Sequence, residues 1–276
     1  MLNDSGERKR SLIPTQEHLG RGRPKLDLSH SVILYVEGLT VSFDGFKALD
    51  DLNLYVSDGE LRCLIGANGA GKTTLMDVIT GQTKPDSGSV YFGQTVDLLG
   101  RNETEIAQLG IGRKFQHPTV FENQNVFSNL ELAMQGRKGV LDALTSRQSE
   151  NDIALIHDIL KIIGLEQHLR SLAGGLSHGQ KQWLEIGMLL IADPQLMLVD
   201  EPAAGMTPYE TERTAELLTS LAGDRTILVV EHDMEFIRSI ARTVTVMHQG
   251  QLLAQGTMSD IQNNPAVLEV YLGEGL

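Results

Sequence analysis

Cysteine is almost absent: Cys63 is the single one in 276 residues. No intrachain disulfide can form, so the fold must be held by a buried core, and Cys63 in "ELRCLIG" reads as a small core residue rather than a reactive thiol. Positive charge is scarce too. The 23 Lys and Arg face 36 Asp and Glu, a formal net charge of -13, which argues against the clustered basic face that nucleic-acid binding requires. Long apolar runs are also missing. A membrane-spanning helix takes about 20 apolar residues in succession, and the longest candidate, "WLEIGMLLIADPQLMLVD", is broken by Glu185, Asp193 and Pro194. The N-terminus carries charges but no apolar signal core, so a cytoplasmic location is expected. The hydrophobic fraction of 41% suffices for one substantial core or two modest ones.

The chain changes character along its length. Residues 1 to about 31 are polar, mixed in charge and without periodicity, which predicts a flexible tail. From Val32 onward, "VILYVEGLTVSF", "DLNLYV" and "ELRCLIG" read as strands, the third running into a glycine-rich turn and a helix from about Lys72. The middle, roughly 100 to 185, reads as helical, with Ile153, Ile156, Leu160 and Ile163 on one stripe. The continuous apolar runs "LMLVD" and "TILVVEHD", separated by a helical "PYETERTAELLTSLAG", suit a parallel sheet buried on both faces. The expected class is therefore α/β.

Within that frame, "GANGAGKTT", Gly66 to Thr74, sits between a strand and a helix and fits G-x-x-x-x-G-K-[ST]. Phosphate oxygens need several donors at short range. Gly66, Gly69 and Gly71 let the backbone curl so that its N–H groups, with those of Asn68, Ala70 and Thr74, point inward at the start of a helix. Lys72 would reach the β- and γ-phosphates and the Thr73 hydroxyl would help hold Mg2+. The run "LMLVDEP" then ends a strand in two acids. Asp200 suits the metal and Glu201 suits the attacking water, although paired acids at a strand end also suit a solvated turn. His232, at the end of "VVEHD", is a candidate γ-phosphate contact or a structural histidine. In "LSHGQKQWLEIGMLL", Ser177 and Gln180 stand at the spacing of a capping box, which predicts a helix start with free N–H groups that attract anions.

The ordered set "GANGAGKTT", "KFQHP", "LSHGQ", "LMLVDEP" and "VVEHD" resembles the nucleotide-binding subunit of ABC transporters over residues 32–276. The resemblance implies a P-loop NTPase core, a mixed sheet with helices on both faces plus an antiparallel β subdomain, with an inserted helical subdomain at about 100–185. It implies ATP and Mg2+ as ligands. It also implies roles: Phe43 stacking on adenine, Gln116 sensing metal and γ-phosphate, Ser177, Gly179 and Gln180 as signature residues, Asp200 and Glu201 as the metal and hydrolysis pair, and His232 as the switch histidine. Phe43 also suits a core aromatic, with Phe46 close by, and Gln116 suits a buried polar loop residue. In that family two cassettes stack head to tail, so a second ATPase subunit, the same or different, is an implied partner. So are two transmembrane permease subunits at the inner face of the membrane and, indirectly, an extracytoplasmic substrate-binding protein.

This chain departs from the family pattern twice. His178 replaces the usual third-position Gly of the signature, and "AAGMT" stands where S-A-L-D is typical, so Thr207 replaces an Asp. Members of the branched-chain-amino-acid-type branch share such a loop and a C-terminal "YLG", here Tyr271 to Gly273. Within that branch the stretches "GIGRKFQHPTVFENQNVFSNLELA" and "LSHGQKQWLEIGMLL" resemble the ATPase of urea importers. The expectation is an ATPase that energises import of urea or short amides. Import of branched-chain amino acids, a soluble ABC ATPase outside transport, or a regulatory module without turnover are the alternatives.

Overall fold

A computed structural model describes residues 26–115, 119–135 and 150–273. Its centre is a six-stranded sheet in the order β10-β9-β3-β8-β7-β6. β3 (Leu61–Ile65), β7 (Leu196–Asp200), β8 (Thr226–Val230), β9 (Thr243–His248) and β6 (Ile111–Lys114) run parallel, and β10 (Gln251–Gly256) closes one edge antiparallel to β9. Successive strand side chains point to opposite faces. Accordingly Cys63, Met197, Val199, Ile227 and Val229 join one buried cluster, and Leu64, Leu198, Leu228 and Val230 join another. Both faces are dry, which is why these strands read as continuous apolar runs.

The second cluster is completed by an antiparallel sheet, ordered β2-β1-β4-β5, and by α1 (Lys72–Ile79). β1 (Val32–Phe43) and β2 (Phe46–Ser57) form a long hairpin, and β4 (Ser87–Phe92) pairs with β1 and with the short β5 (Val96–Asp97). The first cluster is covered by helices: α3 (Val126–Gln135), α4 (Glu150–Ile163), α5 (His178–Ile191) and α6 (Pro208–Leu221). α2 (Glu103–Leu109), α7 (Met234–Ile240), α8 (Met258–Gln262) and α9 (Pro265–Gly273) are the other α-helices among the described residues. No helix among the described residues is long and apolar enough to cross a membrane.

Three expectations need correction. The tail was expected to run to about residue 31, yet Leu26 and Leu28 pack against the core and the Asp27 carbonyl accepts from Gln94 N at 3.2 Å. Residues 1–25 lie outside the description. The helical middle contains β6, which pairs with β7 from Ile111 to Lys114; "GIGRK" is short, Gly-containing and charged, so it lacks the apolar signature of its neighbours. On α4 the buried stripe is Leu155, Ile156, Ile159, Leu160 and Ile163, whereas Ile153 is exposed. The i, i+3, i+7 pattern had the right period and one wrong member.

Candidate active site

The phosphate-binding candidate lies between β3 and α1. Gly66 has φ 154° and a Cβ there would stand 2.3 Å from the Met247 carbonyl oxygen; at Gly71, φ is 99° and the obstacle is the Ala48 carbonyl at 2.5 Å. The loop is thus pressed between β9 and the long hairpin, and a side chain at either position would push it out. Gly69, with φ 79°, faces open space, and its neighbours Asn68 and Thr73 are exposed. α1 follows its N-cap residue Gly71, with no side-chain cap and no acid in its first turn. By contrast α2, α5, α6 and α8 each carry a full capping box, and α7 is capped by Asp233. The helix start under the glycine loop keeps its N–H groups for an anion. Thr74 follows Thr73 in that first turn, and Ala70 is buried beneath the loop.

Lys72 arches over the same loop, its Nζ donating to the carbonyls of Gly66 at 2.6 Å and Ala67 at 2.9 Å. Burial holds its pKa below the ordinary lysine value, opposed by the charges of Glu201 and Asp200. Those two acids close β7. The Asp200 carboxyl is pushed up by burial, while Arg113 pulls it down. Arg113 Nη2 stands 3.6 Å from Asp200 Oδ2, its Nη1 is 2.5 Å from Asp77 Oδ1, and its guanidinium lies 4.8 Å over the Phe115 ring. Arg113 is not legible in the sequence, because a lone Arg in a short, charged strand carries no signal.

Glu201 adopts φ 43°, in the left-handed region, and its N–H donates to the Val230 carbonyl at 2.9 Å. The backbone therefore leaves β7 sharply and delivers the Glu201 carboxylate toward His232, whose Nδ1 is 3.6 Å from Oε1. A non-Gly residue in that region costs about 1 to 3 kcal/mol and persists where the surroundings demand it. His232 is exposed, but its backbone is anchored by Glu231. That carboxylate is 1% exposed and accepts from the N–H groups of His232 at 2.7 Å, Asp233 at 3.2 Å and Ala203 at 3.1 Å. Glu231 went unassigned from sequence, although a buried strand running straight into an acid was a legible signal.

Gln116 lies outside the described residues. Its flanks are held by Glu185 on α5: Thr119 Oγ1 donates to Oε1 at 2.9 Å, and the buried Lys114 Nζ is 3.8 Å from Oε2. Phe43 is half exposed at the hairpin tip, paired in register with the exposed Phe46, so it is not a core aromatic. Ser177 caps α5 as its spacing predicts, accepting from Gln180 N at 3.2 Å while Gln180 Oε1 accepts from Ser177 N at 3.0 Å. Gly179 follows in the first turn and is buried. This helix start is linked to the 203–207 loop: His178 Nε2 lies 3.1 Å from the Ala204 carbonyl, and Ser177 Oγ donates to Glu210, which accepts from Thr207 N.

Residues 49–204 match the family model described as "ABC transporter". The chain belongs to that family. Residues 251–276 of this ABC ATPase further match a model described as "Branched-chain amino acid ATP-binding cassette transporter", which places the cassette in that branch. It is 36% identical over 251 residues to the high-affinity branched-chain amino acid transport ATP-binding protein LivG of Escherichia coli (strain K12), covering 88% of this chain and 98% of the relative. It is 34% identical to BraF of Pseudomonas aeruginosa over the same span and coverage. The ADP conformation of an ATP-binding cassette of an ABC transporter superposes with a TM-score of 0.78 at 31% identity, covering 88% of this chain and 99% of that one.

Proposed function

We propose that this chain is the ATP-hydrolysing subunit of an importer that carries urea or a short amide. The observation that carries the ATPase half is the uncapped start of α1, with Lys72 on one side and Asp200, Glu201 and His232 on the other. The urea half rests on the two stretches that resemble the urea transporter ATPase known as UrtD. Branched-chain amino acids are the second reading, favoured by the names of LivG and BraF.

In this reading the nucleotide-binding domain begins at about residue 26, and the helices that follow β6, up to about residue 185, face two permease subunits at the cytoplasmic side of the membrane. Asn68, Gly69, Ala70, Gly71 and Thr74 offer backbone N–H groups to the phosphates, and Lys72 exchanges its loop carbonyls for phosphate oxygens. Phe43, exposed at the hairpin tip, stacks on adenine. The hydroxyl of Thr73 and the carboxylate of Asp200 are hard oxygen donors that would hold Mg2+, with Gln116 as a further proposed ligand. That ion supplies charge neutralisation on the phosphates. Glu201 accepts the proton of the attacking water and His232 donates to the γ-phosphate. Ser177, Gly179 and Gln180 serve the ATP of a partner cassette.

Reconstitution with the permease subunits and binding protein tests the reading. ATP hydrolysis stimulated by urea-loaded binding protein, and not by leucine, is expected. Stimulation by leucine alone sinks the urea reading, and stimulation by neither sinks the importer.

A further inference from the structure

Two sequence features stand apart from the chemistry above, His178 in the signature and Thr207 in the "AAGMT" loop. Glu210 joins their surroundings. It sits at the third position of α6 and closes that helix's capping box, accepting from Thr207 N at 3.0 Å and from Thr207 Oγ1 at 2.9 Å through Oε2. Its other oxygen reaches α5, where Ser177 Oγ donates to Oε1 at 2.7 Å. The carboxyl passes over Gly179, where a Cβ would stand 2.5 Å from Glu210 Cδ. The space a side chain would take at 179 is therefore filled by this carboxylate.

A serine hydroxyl has one proton. The Ser177 oxygen accepts from Gln180 N as the helix cap, and its proton is committed to Glu210. The bond from the Thr207 backbone, then that from Ser177, hold the Glu210 carboxyl below the ordinary glutamate range, with a smaller pull from His178. Glu210 is thus charged at neutral pH. A phosphate arriving at this helix start meets a negative charge and a hydroxyl already engaged.

Resting on the proposed reading that α5 receives the γ-phosphate of a partner cassette's ATP, we propose that Glu210 competes with that phosphate for the Ser177 hydroxyl. Glu210 is then a positioning residue that sets the ATP concentration at which two cassettes close. Its second oxygen stays on Thr207, so release of Ser177 is transmitted to a loop whose other end, Ala203 N, is bonded to Glu231 at 3.1 Å.

Two substitutions in the assembled transporter test this. In Glu210→Gln the amide oxygen still accepts from Thr207, while the amide N–H₂ donates to Ser177 Oγ and frees the serine proton. In Glu210→Asp the cap survives, as the capping box of α8 with Asp260 in the same place demonstrates, but the shorter arm withdraws from Ser177. Both are expected to lower the KM for ATP, Glu210→Gln by about fivefold, with kcat moving less. Adding Ser177→Ala should abolish the difference between Glu210→Gln and its parent. An unchanged or raised KM in both single variants overturns the proposal. Absence of saturable ATP turnover in the unmodified complex would instead defeat the function proposed above.

Discussion

Glu231 Oε2 holds the backbone N–H of His232 at 2.7 Å while His232 Nδ1 stands 3.5 Å from the same carboxylate oxygen. One buried acid thus anchors the main chain of the residue facing Glu201 and lies beside its ring. Its other oxygen fixes Ala203 N, so the two loops that leave β7 and β8 share a single anchor.

Removing that anchor strands three backbone donors. Glu231→Ala is expected to cost about 3 kcal/mol of stability, read from a denaturant midpoint. Turnover should fall at least tenfold while nucleotide affinity changes little, since Lys72 and the glycine loop are untouched. A stable variant with normal turnover would show that the three bonds position nothing.

His178 Nε2 lies 3.1 Å from the Ala204 carbonyl and 3.3 Å from Gln182 Nε2, so the ring joins the 203–207 loop to α5. His178→Gly should release the middle of the 203–207 loop, costing about 1 kcal/mol and lowering turnover severalfold. If turnover and its pH dependence both stay the same, the ring is a bystander.

Cys63 is sealed in the sheet between β8 and β9, and burial, with the nearby Glu231 charge, pushes its thiol from 9.0 up to about 12. The folded chain should resist thiol reagents at pH 8 and react only at the rate of unfolding. The sign of the linkage follows. The raised pKa favours the folded, protonated form, so its stabilising share is complete below pH 9 and is lost as pH rises toward 12. Fast labelling of the native chain at pH 8 would contradict this placement.

Much of the site was legible because its chemistry needs local spacing. The strand, glycine loop and helix from Leu61 to Ile79, and the acids closing β7, follow from short apolar runs with a terminal punctuation. The α5 cap was legible for the same reason, since Ser177 and Gln180 are three residues apart. What escaped is non-local. β6 is a strand because β7 offers it a partner, not because "IGRK" prefers to be one. The Glu210 bond to Ser177 spans 33 positions, and Arg113 meets Asp77 and Asp200 only once the sheet has formed.

We propose that Glu201 handles the attacking water beside the glycine loop that precedes α1. Turnover and nucleotide retention in Glu201→Gln, measured on the same assembled complex, test it most directly. Turnover should fall by two to four orders of magnitude, about the worth of a general base, while ATP binding persists and the closed pair of cassettes accumulates. Turnover near that of the unmodified complex would remove Glu201 from that role.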